Sequence, residues 1–128
     1  MQKITTDQAP AAIGPYSQAI EDSDWLFLSG QIPLDPETGR LVEGDIEDQT
    51  RRVIQNIQAV LEAAGASLES VRKATVFVTD LADFGRINHV YQTFFGSVAP
   101  ARSTVQVAAL PLGASIEIEV IARRPSVR

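Results

Sequence analysis

Two charged side chains near the end of the chain, Arg102 and Glu117, are of the types needed to grip a small anion and to position water. A guanidinium is a planar fork that holds a carboxylate through two parallel N–H···O bonds. A carboxylate can orient or deprotonate a water. Taken singly, each reads as a solvated residue on a strand. Asn88 falls four residues after Phe84, close to the apolar stripe of a predicted helix, where an amide is costly unless its hydrogen bonds are met. His89 is the only histidine and cysteine is absent. A metal site is therefore not expected, and disulfide or thiolate chemistry is excluded.

These residues need elements to carry them. The first dozen residues read as an extended arm, followed by a strand over Tyr16–Glu21, a turn at Glu21–Asp24 and a strand over Trp25–Ser29. Pro33–Gly44 reads as a surface loop. A long helix follows, with Asp45 as N-cap, Glu47 and Asp48 in its first turn and a stripe of Val53, Ile57, Val60, Leu61 and Ala64. Gly65 falls where a left-handed C-cap residue is wanted. A third strand spans Val71–Thr79. A second helix starts at a capping Asp83, carries the stripe Phe84, Ile87, Tyr91 and Phe94, and ends at Gly96. Thr104–Ala108 and Ile116–Ala122 are the last strands. The order β-β-α-β-α-β-β predicts an α+β fold with helices on one sheet face, as one domain over residues 1–128.

Alternation along the last strand puts Ile116, Ile118, Val120 and Ala122 on one face and Glu117, Glu119 and Ile121 on the other. Arg102, Thr104 and Gln106 share a face of the preceding strand. One greasy and one mixed polar face are expected, with Phe77 and Ile121 among the polar groups of the second. A wholly wetted face would be more uniformly polar; this mixture favours burial in an oligomer.

The chain has 128 residues, 45% hydrophobic and 21% charged, with a formal net charge of -5. The acidic balance, with Arg123-Arg124 a short basic stretch near the tail, argues against nucleic-acid binding. No transmembrane helix or secretion signal is expected, and a cytoplasmic location fits.

Over essentially its whole length the chain resembles the RidA/YjgF family of reactive-intermediate deaminases. The resemblance is carried by 9–19 (APAAIGPYSQA), 29–33 (SGQIP), Asn56-Ile57, 62–66 (EAAGA) and 76–84 (VFVTDLADF). Its clearest segments are 100–107 (PARSTVQV) and 116–119 (IEIE). It implies a chorismate-mutase-like fold and a homotrimer whose polar sheet faces form a central barrel, with clefts between neighbouring subunits. The implied activity is cofactor-independent hydrolysis of 2-aminoacrylate and 2-iminobutanoate, released by pyridoxal-phosphate-dependent dehydratases, to 2-keto acids and ammonia.

The same resemblance assigns the site. Arg102 matches the carboxylate-binding arginine and Glu117 the glutamate that orients or deprotonates water. Tyr16, Gly30, Phe84, Asn88 and Thr104 match positions that line the pocket or hydrogen-bond the substrate. No metal and no organic cofactor are implied. Glu119 reads as structural and His89 as solvated. Many members carry cysteine at the position of Thr104 and an aromatic residue at that of Ala99, which puts the pocket wall and substrate range in question more than the reaction. The alternatives are a carboxylate-binding regulatory module without turnover and an RNA-acting translation inhibitor or endoribonuclease.

Overall fold

The computed structural model describes residues 1–125. Six strands form one sheet: β1 (Gln2–Ile4), β2 (Ala19–Asp22), β3 (Trp25–Leu28), β4 (Val71–Val78), β5 (Ala101–Gln106) and β6 (Ile116–Arg123), in the spatial order β1-β2-β3-β6-β4-β5. Every pairing is antiparallel except β4 with β5. Helices α1 (Ile46–Ala63) and α2 (Phe84–Phe95) lie on one face. Between them and the sheet lies a core of aliphatic side chains, with Leu26, Ile54, Ile57, Leu61, Ile87, Ile116 and Ile118 fully buried. Each such side chain contributes about 1.5–3 kcal/mol of transfer free energy.

The ends of α1 follow from local chemistry. Asp45 accepts from the Asp48 N–H at 3.0 Å while Asp48 accepts from the Asp45 N–H at 3.2 Å, a reciprocal capping box. Gly65, at φ 76°, turns the chain out of the helix in the left-handed region. The second helix departs from expectation. Asp83 makes no side-chain cap; Asp80 instead accepts from the Ala82 N–H at 2.9 Å and opens a short 3-10 turn leading into α2. The buried stripe is Ile87, Val90, Tyr91 and Phe95, so Phe95 rather than Phe94 is the deep anchor, and Phe84 is partly exposed. Gly96 is right-handed, and the chain reverses at Ala99 with φ 46°.

Three strand boundaries also differ. The arm forms β1, which pairs with β2; the first predicted strand starts at Ala19, not Tyr16; β5 starts at Ala101, not Thr104. The last two strands are not neighbours, because β4 lies between them. Register then decides orientation. Ala74, Val76 and Val78 are buried under the helices, and β5 pairs them with Arg102, Thr104 and Gln106. Those three residues therefore project on the helix face. Glu117, Glu119 and Ile121 pair with Phe77, Thr75 and Lys73 on the open face. The mixed polar face is real for β6, but Arg102, Thr104 and Gln106 do not belong to it. Polar residues are tolerated on the helix side of β5 because that strand is outermost, at the margin of the helix layer.

On the open face Phe27, Val105 and Ile121 are exposed beside Glu119. Lys73 there donates to Thr75 Oγ1 and to the Ala74 carbonyl. No helix among the described residues is long and apolar enough to cross a membrane.

Candidate functional site

The expected site residues fall into two groups on opposite sides of the sheet. The first surrounds Arg102. Its Nη1 donates to Asn88 Oδ1 at 2.8 Å. Its guanidinium carbon lies 4.7 Å from the centroid of the Tyr91 ring and 5.4 Å from that of Phe84, within cation–π range. Phe84, Asn88 and Tyr91 share one side of α2, being four and three residues apart, so a single helix face supplies the whole cradle. Among the described residues no carboxylate pairs with Arg102. A partly buried guanidinium held by an amide and two rings, with donors to spare, is preorganised for an anion. Thr104 follows on the same face of β5. His89 is exposed, as its solvated reading requires.

The second group surrounds Glu117. A cleft of about 580 Å³ is lined by Ile13, Tyr16, Gly30, Leu112 and Glu117, among others. Gly30 touches Glu117 directly: a Cβ built on Gly30 would overlap Glu117 Oε2 and lie 2.8 Å from its carboxyl carbon. This is the role of glycine here, since any side chain would displace the carboxylate. The approach is created by a bulge. Phe27 pairs with Ile121 and Gln31 with Ile118, so Leu28, Ser29 and Gly30 lie opposite only Glu119 and Val120. Gln31 and Ile118 exchange backbone hydrogen bonds of 2.9 and 3.1 Å and fix the register next to Glu117. Burial, and secondarily the charge of Glu119, pushes the Glu117 carboxyl above its ordinary pKa. A carboxyl moved towards neutrality is better matched to moving protons at neutral pH. Tyr16 is half exposed, and its hydroxyl accepts from the Ile13 N–H at 3.3 Å.

The sequence reading missed the residues that brace these groups. Gln18 is buried; its amide accepts from the Thr6 N–H at 2.8 Å and donates to the carbonyls of Thr6 at 3.0 Å and Pro10 at 2.8 Å, pinning the arm that forms the cleft wall. Asn56 is fully buried in α1 and donates to the Leu34 carbonyl at 3.0 Å, anchoring the segment after Gly30. Its position three residues after Val53, on the apolar stripe, was the available signal. Tyr91 looked like core alone. No group of three or more metal-ligating side chains occurs among the described residues.

Fold and site together define a small α+β protein that presents, on one side of its sheet, an arginine with no carboxylate partner among the described residues and, on the other, a glycine-backed glutamate. The family described as Endoribonuclease L-PSP matches residues 6–124, and the chain belongs to this family, that of the RidA/YjgF proteins. It is 56% identical over 119 residues to a RutC family protein of Pyrococcus abyssi, covering 93% of this chain and 94% of that one. It is 46% identical to the 2-iminobutanoate/2-iminopropanoate deaminase of Mus musculus, covering 93% and 88%. The crystal structure of E. coli TdcF with bound serine superposes with a TM-score of 0.93 at 46% identity, covering 98% of this chain and all of that one. That of the E. coli YjgF gene product gives 0.93 at 44%, with the same coverage.

Proposed function

We propose that this protein hydrolyses reactive 2-enamino and 2-imino acids, such as 2-aminoacrylate and 2-iminobutanoate, to 2-keto acids and ammonia. The observation that carries the reading is the Arg102 cradle: a guanidinium oriented by Asn88, stacked on two rings and lacking a carboxylate partner among the described residues. Arg102 grips the substrate carboxylate. Phe84, Asn88 and Thr104 line that side of the site, Tyr16 and Gly30 the other. Glu117 takes a proton from water as the oxygen adds to C2 of the imine. The resulting carbinolamine nitrogen accepts a proton from the Glu117 carboxyl, the C2 hydroxyl gives its proton back to that carboxylate as its oxygen becomes the keto carbonyl, and the C–N bond breaks to release ammonia. Holding the water beside C2 removes much of the entropic cost of the encounter, and general-base help adds about 10²–10⁴-fold. Hydrolysis on these groups requires no cofactor.

Arg102 and Glu117 lie on opposite sheet faces, so a site using both is built from two copies. The mixed open face, with Phe27, Val105 and Ile121 exposed among polar groups, is suited to the contact, and a homotrimer closes it. The name of the mouse relative and the serine bound to TdcF agree with a small amino-acid-derived ligand. The family description favours a second reading, ribonuclease action. The net charge of -5 opposes it, as does the pairing of Arg124 with Glu21 at 2.8 Å, which neutralises part of the basic cluster near the C-terminus.

The test is a coupled assay in which a serine dehydratase generates 2-aminoacrylate and keto-acid release is followed with and without the protein. Acceleration that is lost in Arg102→Ala supports the reading. No acceleration, or full activity in that variant, refutes it.

A further inference from the structure

Asn56 is an amide in a place where the core has no need of one. It is fully buried in α1 among Val53, Ile57, Val60 and Leu61. A buried amide costs free energy unless its donors and acceptor are met, and an aliphatic side chain would fill the stripe without that demand. Asn56 meets the demand in one orientation. Its Oδ1 accepts from Arg52 Nε, one helical turn earlier, at 3.1 Å. Its Nδ2 donates to the Leu34 carbonyl at 3.0 Å and to the Ile32 carbonyl at 3.4 Å. Arg52 has donors and no acceptor, so it holds Oδ1 and turns the amide N–H groups towards those two carbonyls. The carbonyls belong to the segment that follows Gly30 and lies outside the strands. Gln31, between that segment and Gly30, exchanges backbone hydrogen bonds of 2.9 and 3.1 Å with Ile118, the neighbour of Glu117. On the other side of Gly30, the Ser29 N–H donates to the Gln18 carbonyl at 3.0 Å.

We infer that Asn56, oriented by Arg52, is a positioning residue for the Glu117 carboxyl: it fixes residues 32–34 and through them holds the Gly30 backbone against that carboxyl. Its kinetic consequence rests on the proposed hydrolysis; the contact itself needs no substrate. Gly30 and Glu117 approach so closely that a Cβ on Gly30 has no room. A backbone pressed on the carboxyl keeps water from that side, and burial is the main cause that raises the Glu117 pKa. Slackening at residues 32–34 releases Gly30, lets water reach the carboxyl and frees it to leave the position from which it serves C2. The titratable or charged groups that share the open face with Glu117 are Glu119 and Arg123 on β6 and Lys73 on β4, with Tyr16 across the cleft. The Arg102 of a second copy joins them in the proposed assembly. Asn56 and Arg52 lie in α1 on the other side of the sheet, so substituting them alters none of these charges.

The experiment follows the Glu117 carboxyl by carbon-13 NMR as pH is varied, in the ligand-free protein, the resonance being the one lost in Glu117→Gln. In parallel, kcat and KM are measured on 2-iminobutanoate generated in situ by an L-amino-acid oxidase. Asn56→Leu removes the donors and suits the apolar stripe. Arg52→Met removes the orienting donor at a partly buried position and leaves the core intact. Both should bring the Glu117 titration down towards 4.5, Asn56→Leu the further. In Asn56→Leu kcat should fall about tenfold, as for partial loss of general-base help, with KM changed less than about twofold, since Arg102 still grips the carboxylate. A lowered unfolding midpoint with titration and kcat unchanged would make Asn56 a structural group only and overturn the inference. So would equal changes in kcat and KM with an unmoved titration. Should Asn56→Leu fail to fold, Arg52→Met decides by the same readings. If the wild type does not accelerate hydrolysis, the proposed function fails, and the titration, which needs no substrate, decides the positioning by itself.

Discussion

Arg102 and Glu117 stand on opposite faces of one sheet, with β4 between their strands. No rotamer change can bring them together within a chain. A site that uses both must take each from a different copy, as the proposed homotrimer does.

Complementation follows. Arg102→Ala and Glu117→Gln should each be inactive alone. Co-refolded in equal amounts, they should recover about a quarter of wild-type activity, because random assembly in a cyclic oligomer gives that share of interfaces both intact residues. Recovery is read by keto-acid release, and a mixture as inactive as its components would place the site within one chain.

Gly30 tests the carboxylate position. Gly30→Ala is not strained by its backbone but displaces Glu117. Turnover should fall about 10–100-fold, up to the lower end of the range for lost general-base help, since the displaced carboxylate stays nearby, with an unfolding midpoint within a few degrees of wild type. Unchanged turnover would mean the carboxylate need not sit against Gly30.

The raised pKa of Glu117 predicts a pH signature. Its ordinary value is 4.5, and burial followed by the Glu119 charge lifts it. The native state therefore keeps this proton at pH values where the unfolded chain has lost it. Its contribution to stability falls as pH rises from 4.5 through the raised value, and is level beyond. Glu117→Gln should be more heat-stable than wild type at neutral pH, with the difference closing below pH 4.5. Hydrolysis should show an acid limb with a midpoint above 4.5.

Tyr91 supports Arg102 through its ring. Its hydroxyl is buried without a hydrogen-bond partner among the described residues, which costs about 1–3 kcal/mol. Tyr91→Phe should keep activity and gain stability. Tyr91→Leu should raise KM with little change in kcat, because a less ordered guanidinium binds the carboxylate less well. A Tyr91→Phe variant as impaired as Tyr91→Leu would shift the role to the hydroxyl.

Much of this was legible in the sequence, for identifiable reasons. The α1 stripe and the Asp45 cap are local signals and appear in place. The alternation Ile116, Ile118, Val120, Ala122 named the buried face of β6. Which face of β5 is buried was not legible, because its parity is set by a parallel pairing with β4, reached across the whole of α2. Periodicity states that Arg102 and Thr104 agree with each other; only register states what they agree with. The Asp80 cap was hidden because Asp83 sits equally well before the helical stripe. The Gly30–Glu117 contact depends on a bulge, three residues against two, that leaves no mark in composition.

The outermost position of β5 has a last consequence. A strand with no neighbour beyond it leaves Arg102 at the margin of the sheet, so in the proposed homotrimer the working unit is a junction and not a polypeptide. Specific activity should then decline on dilution below the dissociation constant of the assembly, and a lag should follow rapid concentration of dispersed protein, its length set by how quickly chains meet.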